Sequence, residues 1–144
     1  MLPNPRVSNG ILTRYALSRF SNSEEGSFAA TLDAVTEELQ SCMPGHGWGF
    51  ARKAVNVFLR DCFYNRFIHD HYELGPIGPM LEVPLDNEVV KAILAIEAVI
   101  PRWTSIKALD SRTSAAFQKA AGNEAVRRNI SRVHLDAVWW GAER

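Results

Sequence analysis

The sequence has little cysteine, no net charge and no long apolar segment, and each absence excludes a class of protein. Cys42 and Cys62 stand outside any CxxC pattern, which argues against a disulfide scaffold or a cysteine metal site and favours reduced thiols. No apolar run approaches the roughly 18 residues of a membrane span. The opening residues MLPNPRVSNG lack the apolar core of a signal peptide, so we expect a cytoplasmic protein that does not enter membranes.

Long stretches of alternating apolar and polar residues, the pattern of half-buried strands, are also missing. Glycine and proline instead divide the 144 residues into helix-length pieces, which predicts an all-α protein. That length suits a single domain, residues 1–144, with its own hydrophobic core. Short N-terminal helices are expected within residues 11–42.

Periodicity and capping residues set the expected helix boundaries. Ser23 begins the second helix, Asp86 caps the fourth and Pro101 ends it. A connection rich in glycine and proline, residues 69–85, is long enough to suggest a function. The predicted helices cover residues 11–20, 23–42, 50–69, 87–100, 111–129 with a break near Gly122, and 130–140.

Charge is unevenly distributed along the chain. Residues 1–43 contain three basic and five acidic side chains, whereas residues 99–132 contain seven basic and two acidic ones. A basic C-terminal half could face phosphates, although a solvated helical surface has the same composition. The seven basic residues are Arg102, Lys107, Arg112, Lys119, Arg127, Arg128 and Arg132.

Residues 44–53, PGHGWGFARK, place three glycines at alternate positions before one lysine. Gly45, Gly47 and Gly49 allow a sharp turn and a close approach to a ligand, because no Cβ stands in the way. Such a hairpin can present backbone N–H groups to a DNA phosphate, or it can be a purely structural turn. Lys53 is expected on the first turn of the next helix, either as a solvated lysine or as an amine nucleophile.

Asp86 precedes an apolar helical run, which makes it a favoured N-cap. A carboxylate fixed at a helix start is also suited to stabilise positive charge that develops on a sugar.

Other chemistry has less support in the sequence. The histidines at 46, 69, 71 and 134 include the pair HDH, but no carboxylate or thiolate pattern completes a site, so no metal site is predicted. Serine, cysteine and histidine form no recognisable triad or nucleophile elbow.

Three segments in order, PGHGWGFARKAVNVFLRDCFYN, LEVPLDNEVVKAI and RVHLDAVWW, resemble the helix-hairpin-helix DNA glycosylases. The resemblance spans residues 43–140 and is strongest to the archaeal-type 8-oxoguanine DNA glycosylase branch. Lys53 matches the lysine that follows the hairpin, and Asp86 matches the catalytic aspartate. Their separation of 33 residues is similar to that branch. Asp136 and Trp140 match the aspartate and tryptophan of its base pocket.

The resemblance implies a helical glycosylase-like domain that excises an oxidised or modified purine such as 8-oxoguanine and then acts as a lyase. Lys53 would attack C1′ and form a Schiff base, while Asp86 would stabilise the sugar cation. Asp136 and Trp140 would hold the flipped base. No cofactor is implied beyond a monovalent cation at the hairpin carbonyls.

The implied partner is double-stranded DNA with a modified base, contacted by the hairpin glycines and by Arg127 and Arg128. This chain has only 42 residues before the matching region, where that branch carries residues that enclose the base. The pocket could be built differently, or a protein partner could complete it. The alternative function is a non-catalytic glycosylase-fold module that binds nucleic acid or a protein partner in a bacterial multi-gene system, such as a defence system.

Overall fold

The computed structural model describes residues 17–21 and 24–142. Every regular element in this part of the chain is helical, which confirms the predicted all-α class. No helix within it is long and apolar enough to cross a membrane. The α-helices are α1 (Leu17–Phe20), α2 (Glu25–Ser41), α3 (Trp48–Tyr64), α4 (Arg66–Tyr72), α5 (Asn87–Ile96), α6 (Ser111–Arg127) and α7 (Leu135–Ala142), and 3-10 helices cover Gly75–Met80 and Arg132–His134.

Buried apolar side chains form two clusters. The first joins α1, α2 and α3 to residues 74–81, and it includes Leu32 and Leu59. The second joins α5, α6 and the start of α7, and it includes Phe117. Most of α3 packs in the first cluster, whereas Trp48 at its start packs against the second. Helix α3 therefore connects the two halves of the core.

The three glycines of the turn before α3 are required for different reasons. Gly45 has a φ of 86°, a conformation that L side chains rarely adopt. A Cβ on Gly47 would lie 2.6 Å from the carbonyl oxygen of Lys107, and one on Gly49 would collide with the carbonyl of Ile106. The close approach that Gly47 and Gly49 permit is therefore to the loop before α6, so the absence of their side chains does not by itself indicate a DNA phosphate.

The predicted helix at 50–69 is wrong at both ends. Helix α3 begins at Trp48, so Lys53 lies in its second turn and not its first, where the helix dipole acts most strongly. The helix ends at Tyr64 because Asn65 adopts an extended backbone and caps α4 by accepting the N–H of Ile68 at 3.1 Å. Much of the expected 69–85 connection is likewise helical, in α4 and the first 3-10 helix.

Helix α5 begins as predicted, with Asp86 as its N-cap, but it ends early. Its last residue is Ile96 and not a residue next to Pro101. Glu97 takes an extended conformation, and the chain then turns back so that Ile100 and Trp103 pack on the second cluster. The helical periodicity of residues 97–100 therefore does not extend the helix, and Ile100 and Trp103 become partly buried through the turn instead.

Two other predicted boundaries need correction. Gly122 does not break α6, since the helix continues to Arg127. The helix predicted at 130–140 is a 3-10 turn followed by α7, an arrangement that places Val133 in the first cluster and Leu135 in the second. Ser23 and most of the helix predicted at 11–20 lie outside the described residues.

Candidate functional site

Lys53 and Asp86 lie side by side. Nζ of Lys53 is 3.8 Å from Oδ2 of Asp86, and their side chains are 35% and 31% exposed. Oδ1 of Asp86 accepts the N–H of Val89 at 2.9 Å, so one carboxylate oxygen caps α5 and the other faces the amine. A separation of 3.8 Å exceeds a hydrogen bond. A small side-chain movement can therefore either form or open this contact.

Glu82 connects the segment before Asp86 to α3. Its carboxylate accepts from Arg52 at 3.0 and 3.1 Å and from the amide of Asn56 at 2.8 Å. Both α3 residues are buried. Because Lys53 follows Arg52 in the same helix, these bonds fix the backbone that carries the amine relative to the backbone that carries the carboxylate.

Two further side chains hold the same segment through its backbone. Gln118 of α6 accepts the N–H of Val83 at 3.1 Å and donates to its carbonyl at 2.7 Å. Arg132 donates to the carbonyls of Met80 and Leu81, each at 3.2 Å, and burial lowers its pKa. The prediction that Arg132 belongs to a basic surface is therefore wrong, because its guanidinium donates hydrogen bonds to the protein's own carbonyls.

A second cation and carboxylate pair lies two turns further along α3. Arg60 donates to Oδ2 of Asp136 and also pairs with Asp61 at 3.1 Å. Asp136 is only 9% exposed, and its Oδ1 has no hydrogen-bond partner among the described residues. Burial raises the pKa of Asp136, Arg60 opposes this, and the nearby Asp86 raises the pKa again. Trp140 makes the smallest contribution, which lowers the pKa of Asp136. It nevertheless forms no hydrogen bond to Oδ1.

Two cavities adjoin Trp140, whose side chain is 53% exposed. The first is an open cavity of about 290 Å³ between α3 and α7, called the polar cavity here because four of its seven lining residues carry charged or hydroxyl groups. The apolar cavity, of about 240 Å³, lies between α5 and α7. The polar cavity is lined by Arg60, Asp61, Tyr64, Val133, Asp136, Ala137 and Trp140. The apolar cavity is lined by Glu88, Val89, Lys91, Ala92, Ala95, Trp139 and Trp140.

An aromatic pair that was not predicted from the sequence lies beside the polar cavity. The hydroxyl of Tyr64 and Nδ1 of His134 are 2.7 Å apart, and the two rings stack with centroids 5.6 Å apart. Burial raises the pKa of Tyr64. Arg60 was likewise not predicted to have a role, although its spacing of seven residues from Lys53 places both on one helix face. Tyr64 and His134 had no such signal, because they are distant in the chain.

The predicted phosphate contacts Arg127 and Arg128 both pair with Glu124, at 2.8 and 2.6 Å. Their side chains nevertheless remain 63% and 43% exposed. They lie at the end of α6, whereas the glycine turn contacts the loop before its start, so about 25 Å of helix separates the two regions. The predicted DNA-binding residues therefore do not form one compact patch.

Within residues 17–21 and 24–142, no group of three or more histidine, cysteine, aspartate or glutamate side chains is placed to hold a metal ion. His69 of the HDH pair instead places Nδ1 2.7 Å from the carbonyl oxygen of Phe63. Both cysteines are free. Burial, with a smaller contribution from Asp61, raises the pKa of Cys62 to about 11, whereas Cys42 is exposed.

No protein-family model, curated protein or solved structure matches this chain. Any assignment of function must therefore come from its own residues and their geometry.

Proposed function

We propose that this protein is a DNA glycosylase and lyase that excises an oxidised or modified purine, such as 8-oxoguanine, through a Schiff base on Lys53. The proximity of Lys53 and Asp86, 3.8 Å apart and partly exposed, is the observation that carries the proposal. In this reading α2, the glycine turn and α3 form the helix-hairpin-helix. The resemblance to the glycosylases supports the proposal because it assigned distinct chemical roles to these two residues.

The first step would be a substitution at the sugar. The unprotonated amine of Lys53 forms a bond to C1′ while the C1′–N9 bond breaks. The electron pair of the C1′–N9 bond leaves with the base, which takes up a proton. The attached nitrogen then loses a proton, its electron pair forms the C1′=N bond of the Schiff base, and the C1′–O4′ bond breaks as O4′ takes up a proton. Loss of a C2′ proton from that intermediate expels the 3′ phosphate and cleaves the strand.

Asp86 would serve two steps of this sequence. Its Oδ2 faces the amine and can accept the proton that the ammonium must lose before it attacks. The same negative charge stabilises the positive charge that develops on the sugar as the base departs. Because Oδ1 is bonded to the backbone of α5, the carboxylate is already oriented before DNA binds.

The departing base would be held at the C-terminal helix. A base must leave the stack before C1′ can be reached, at a cost of a few kcal/mol that the pocket has to offset. Trp140 offers an indole face, and Asp136 lies one turn earlier in α7 with a buried oxygen that has no hydrogen-bond partner among the described residues. A stacked base that donates an N–H to this oxygen would satisfy both side chains.

Binding to the duplex would depend on the hairpin and on basic side chains elsewhere. Gly45 has open space where a Cβ would be, so its backbone can approach a phosphate or contribute a carbonyl to a monovalent cation. Arg127 and Arg128 would contact phosphates further along the same duplex. A net charge of zero gives the protein little general attraction to DNA. A protein partner that completes the base pocket would therefore also add contacts to the duplex.

Borohydride trapping tests this proposal directly. Duplex oligonucleotides that each carry one modified base, with 8-oxoguanine first, are incubated with the protein and borohydride, which reduces a Schiff base to a stable adduct. We expect a trapped complex with the wild type and none with Lys53→Gln. At saturating DNA the yield with Lys119→Gln should be unchanged, because this exposed lysine on α6 could contact a phosphate but takes no part in the chemical step. Trapping by Lys53→Gln would refute the mechanism. Duplex binding without trapping or base release on any substrate would favour the non-catalytic module.

A further inference from the structure

We infer that Arg60 is a positioning residue for base recognition, because it binds one oxygen of Asp136 and leaves the other free to accept an N–H from a ring in the polar cavity. The inference rests on the proposed function, and it gives a role to a residue outside the chemical step. Arg60 lies on the same face of α3 as Lys53, two turns further along. One helix would thus carry both the nucleophile and the support of the base pocket.

The two oxygens of Asp136 have unequal surroundings. Oδ2 accepts a hydrogen bond from Arg60, whereas Oδ1 is buried without a partner in the described part of the chain. A buried acceptor without a hydrogen bond costs free energy, so native proteins rarely keep one unless a water or ligand satisfies it. Asp136 is one of the residues that line the polar cavity. Its Oδ1 is covered by neighbouring protein atoms, so a ligand reaches this oxygen only after one of those neighbours moves. A ligand that donates an N–H there would remove the cost.

Arg60 also limits what the ligand can be. It lines the same cavity, and its guanidinium presents several donors and no acceptor. A ring edge that fits both side chains therefore places an N–H donor beside a carbonyl acceptor. Guanine and 8-oxoguanine have such edges, and Trp140 supplies the adjacent aromatic face.

The charged groups around Asp136 explain why Arg60 matters for this acceptor. Asp86 at the start of α5 raises the pKa of Asp136, as burial does, and Arg60 of α3 opposes both. Asp61, Tyr64 and His134 lie around the same cavity. Without Arg60 the carboxyl would hold its proton to higher pH and would no longer be a fixed, ionised acceptor.

The test compares two duplexes in proteins that also carry Lys53→Gln, so that no covalent step occurs. One duplex contains 8-oxoguanine and the other contains a tetrahydrofuran abasic analogue, and the ratio of their affinities isolates recognition of the base. We expect Arg60→Gln to lower this ratio by roughly tenfold to a hundredfold, the range for a hydrogen bond to a charged group. Arg66→Gln is the matched control, since it removes an exposed arginine on α4 that pairs only loosely with Asp70.

A second readout separates positioning from general loss of structure. In Arg60→Gln the affinity for the 8-oxoguanine duplex should recover as pH rises, with a midpoint above that of the parent protein, and Arg60→Lys should lose less at every pH. If Arg60→Gln does not fold, Arg60→Lys alone should lower the base-to-abasic ratio. An unchanged ratio in every folded Arg60 variant would overturn the inference while leaving the proposed function intact. A parent protein that binds both duplexes equally would overturn the assignment of Arg60 and Asp136 to an 8-oxoguanine edge, whereas the proposed function is decided separately by borohydride trapping.

Discussion

Two cation and carboxylate pairs on α3 differ in how firmly each is held. Lys53 and Asp86 are 3.8 Å apart and about one-third exposed, whereas Arg60 bonds directly to Asp136, which is 9% exposed. A loose, solvated pair can rearrange at little cost. A buried, hydrogen-bonded pair cannot open without leaving an uncompensated charge. The difference suits the first pair to reaction and the second to positioning.

The comparison would be tested most severely by Asp86→Asn. Asparagine caps a helix about as well as aspartate, so we expect the protein to keep its stability. Base excision should nevertheless slow by about 10²-fold or more, because a preorganised negative charge beside the sugar is lost. Single-turnover release of 8-oxoguanine from a duplex measures the rate, and urea unfolding measures the stability. Loss of stability in parallel with loss of rate would assign Asp86 a capping role alone.

A somewhat smaller effect is expected from Trp140→Ala. Truncation removes the aromatic face next to Asp136 and should weaken capture of the flipped base by roughly 1–3 kcal/mol, the range for base stacking on an aromatic side chain. Because the side chain is about half exposed, we expect the fold to tolerate the change. Binding of an abasic duplex is the internal control, since that DNA has no base to stack. An equal loss for both duplexes would move Trp140 from base recognition to general packing.

The residues of the first pair were predicted from the sequence, whereas the contact between Arg60 and Asp136 was not. The reason is the separation along the chain of the residues that interact. Asp86 and its cap depend on neighbours three residues away, so a local pattern revealed them. The role of Lys53 came from order and spacing within a resemblance. Arg60 and Asp136 are 76 residues apart, and no local rule pairs an arginine in one helix with an aspartate in another.

The fold shows the same limit. Helix type and approximate position followed from apolar periodicity, glycine and proline. The break at Asn65, the early end at Ile96 and the packing of Gly47 and Gly49 against the loop before α6 depend on contacts between distant segments. Gln118 is buried and Arg132 partly buried, and both fix the segment before Asp86. This was likewise unpredictable, because polar residues usually lie on the surface.

Stability measurements would sharpen the contrast between the two pairs. Arg60→Met should lower the free energy of unfolding by about 1–2 kcal/mol, since it leaves the buried Asp136 carboxylate without its cation. This estimate lies below the usual cost of breaking a fully buried pair because the Arg60 side chain is 24% exposed. Lys53→Met should change stability by no more than about 0.5 kcal/mol, as expected for a partly solvated pair. Urea unfolding measures both, and equal losses would erase the distinction between a loose and a firm pair.

The smallest effect should be the pH dependence that Asp136 contributes to stability. Burial raises its pKa above the ordinary value of 3.8, Arg60 partly offsets this, and Asp86 raises it again, so the folded protein holds this proton more tightly than the unfolded chain does. As pH rises from 3.8 through the raised pKa, the unfolded chain is deprotonated first, and the free energy of unfolding therefore falls. Asp136→Asn cannot lose a proton, so its stability relative to the wild type should increase across that interval and level off above it. Urea unfolding at several pH values measures this, with Asp61→Asn as the control because that exposed carboxylate pairs with the same Arg60. If the free energies of unfolding of Asp136→Asn and of the wild type change in parallel over the whole pH range, then folding does not raise the pKa of Asp136.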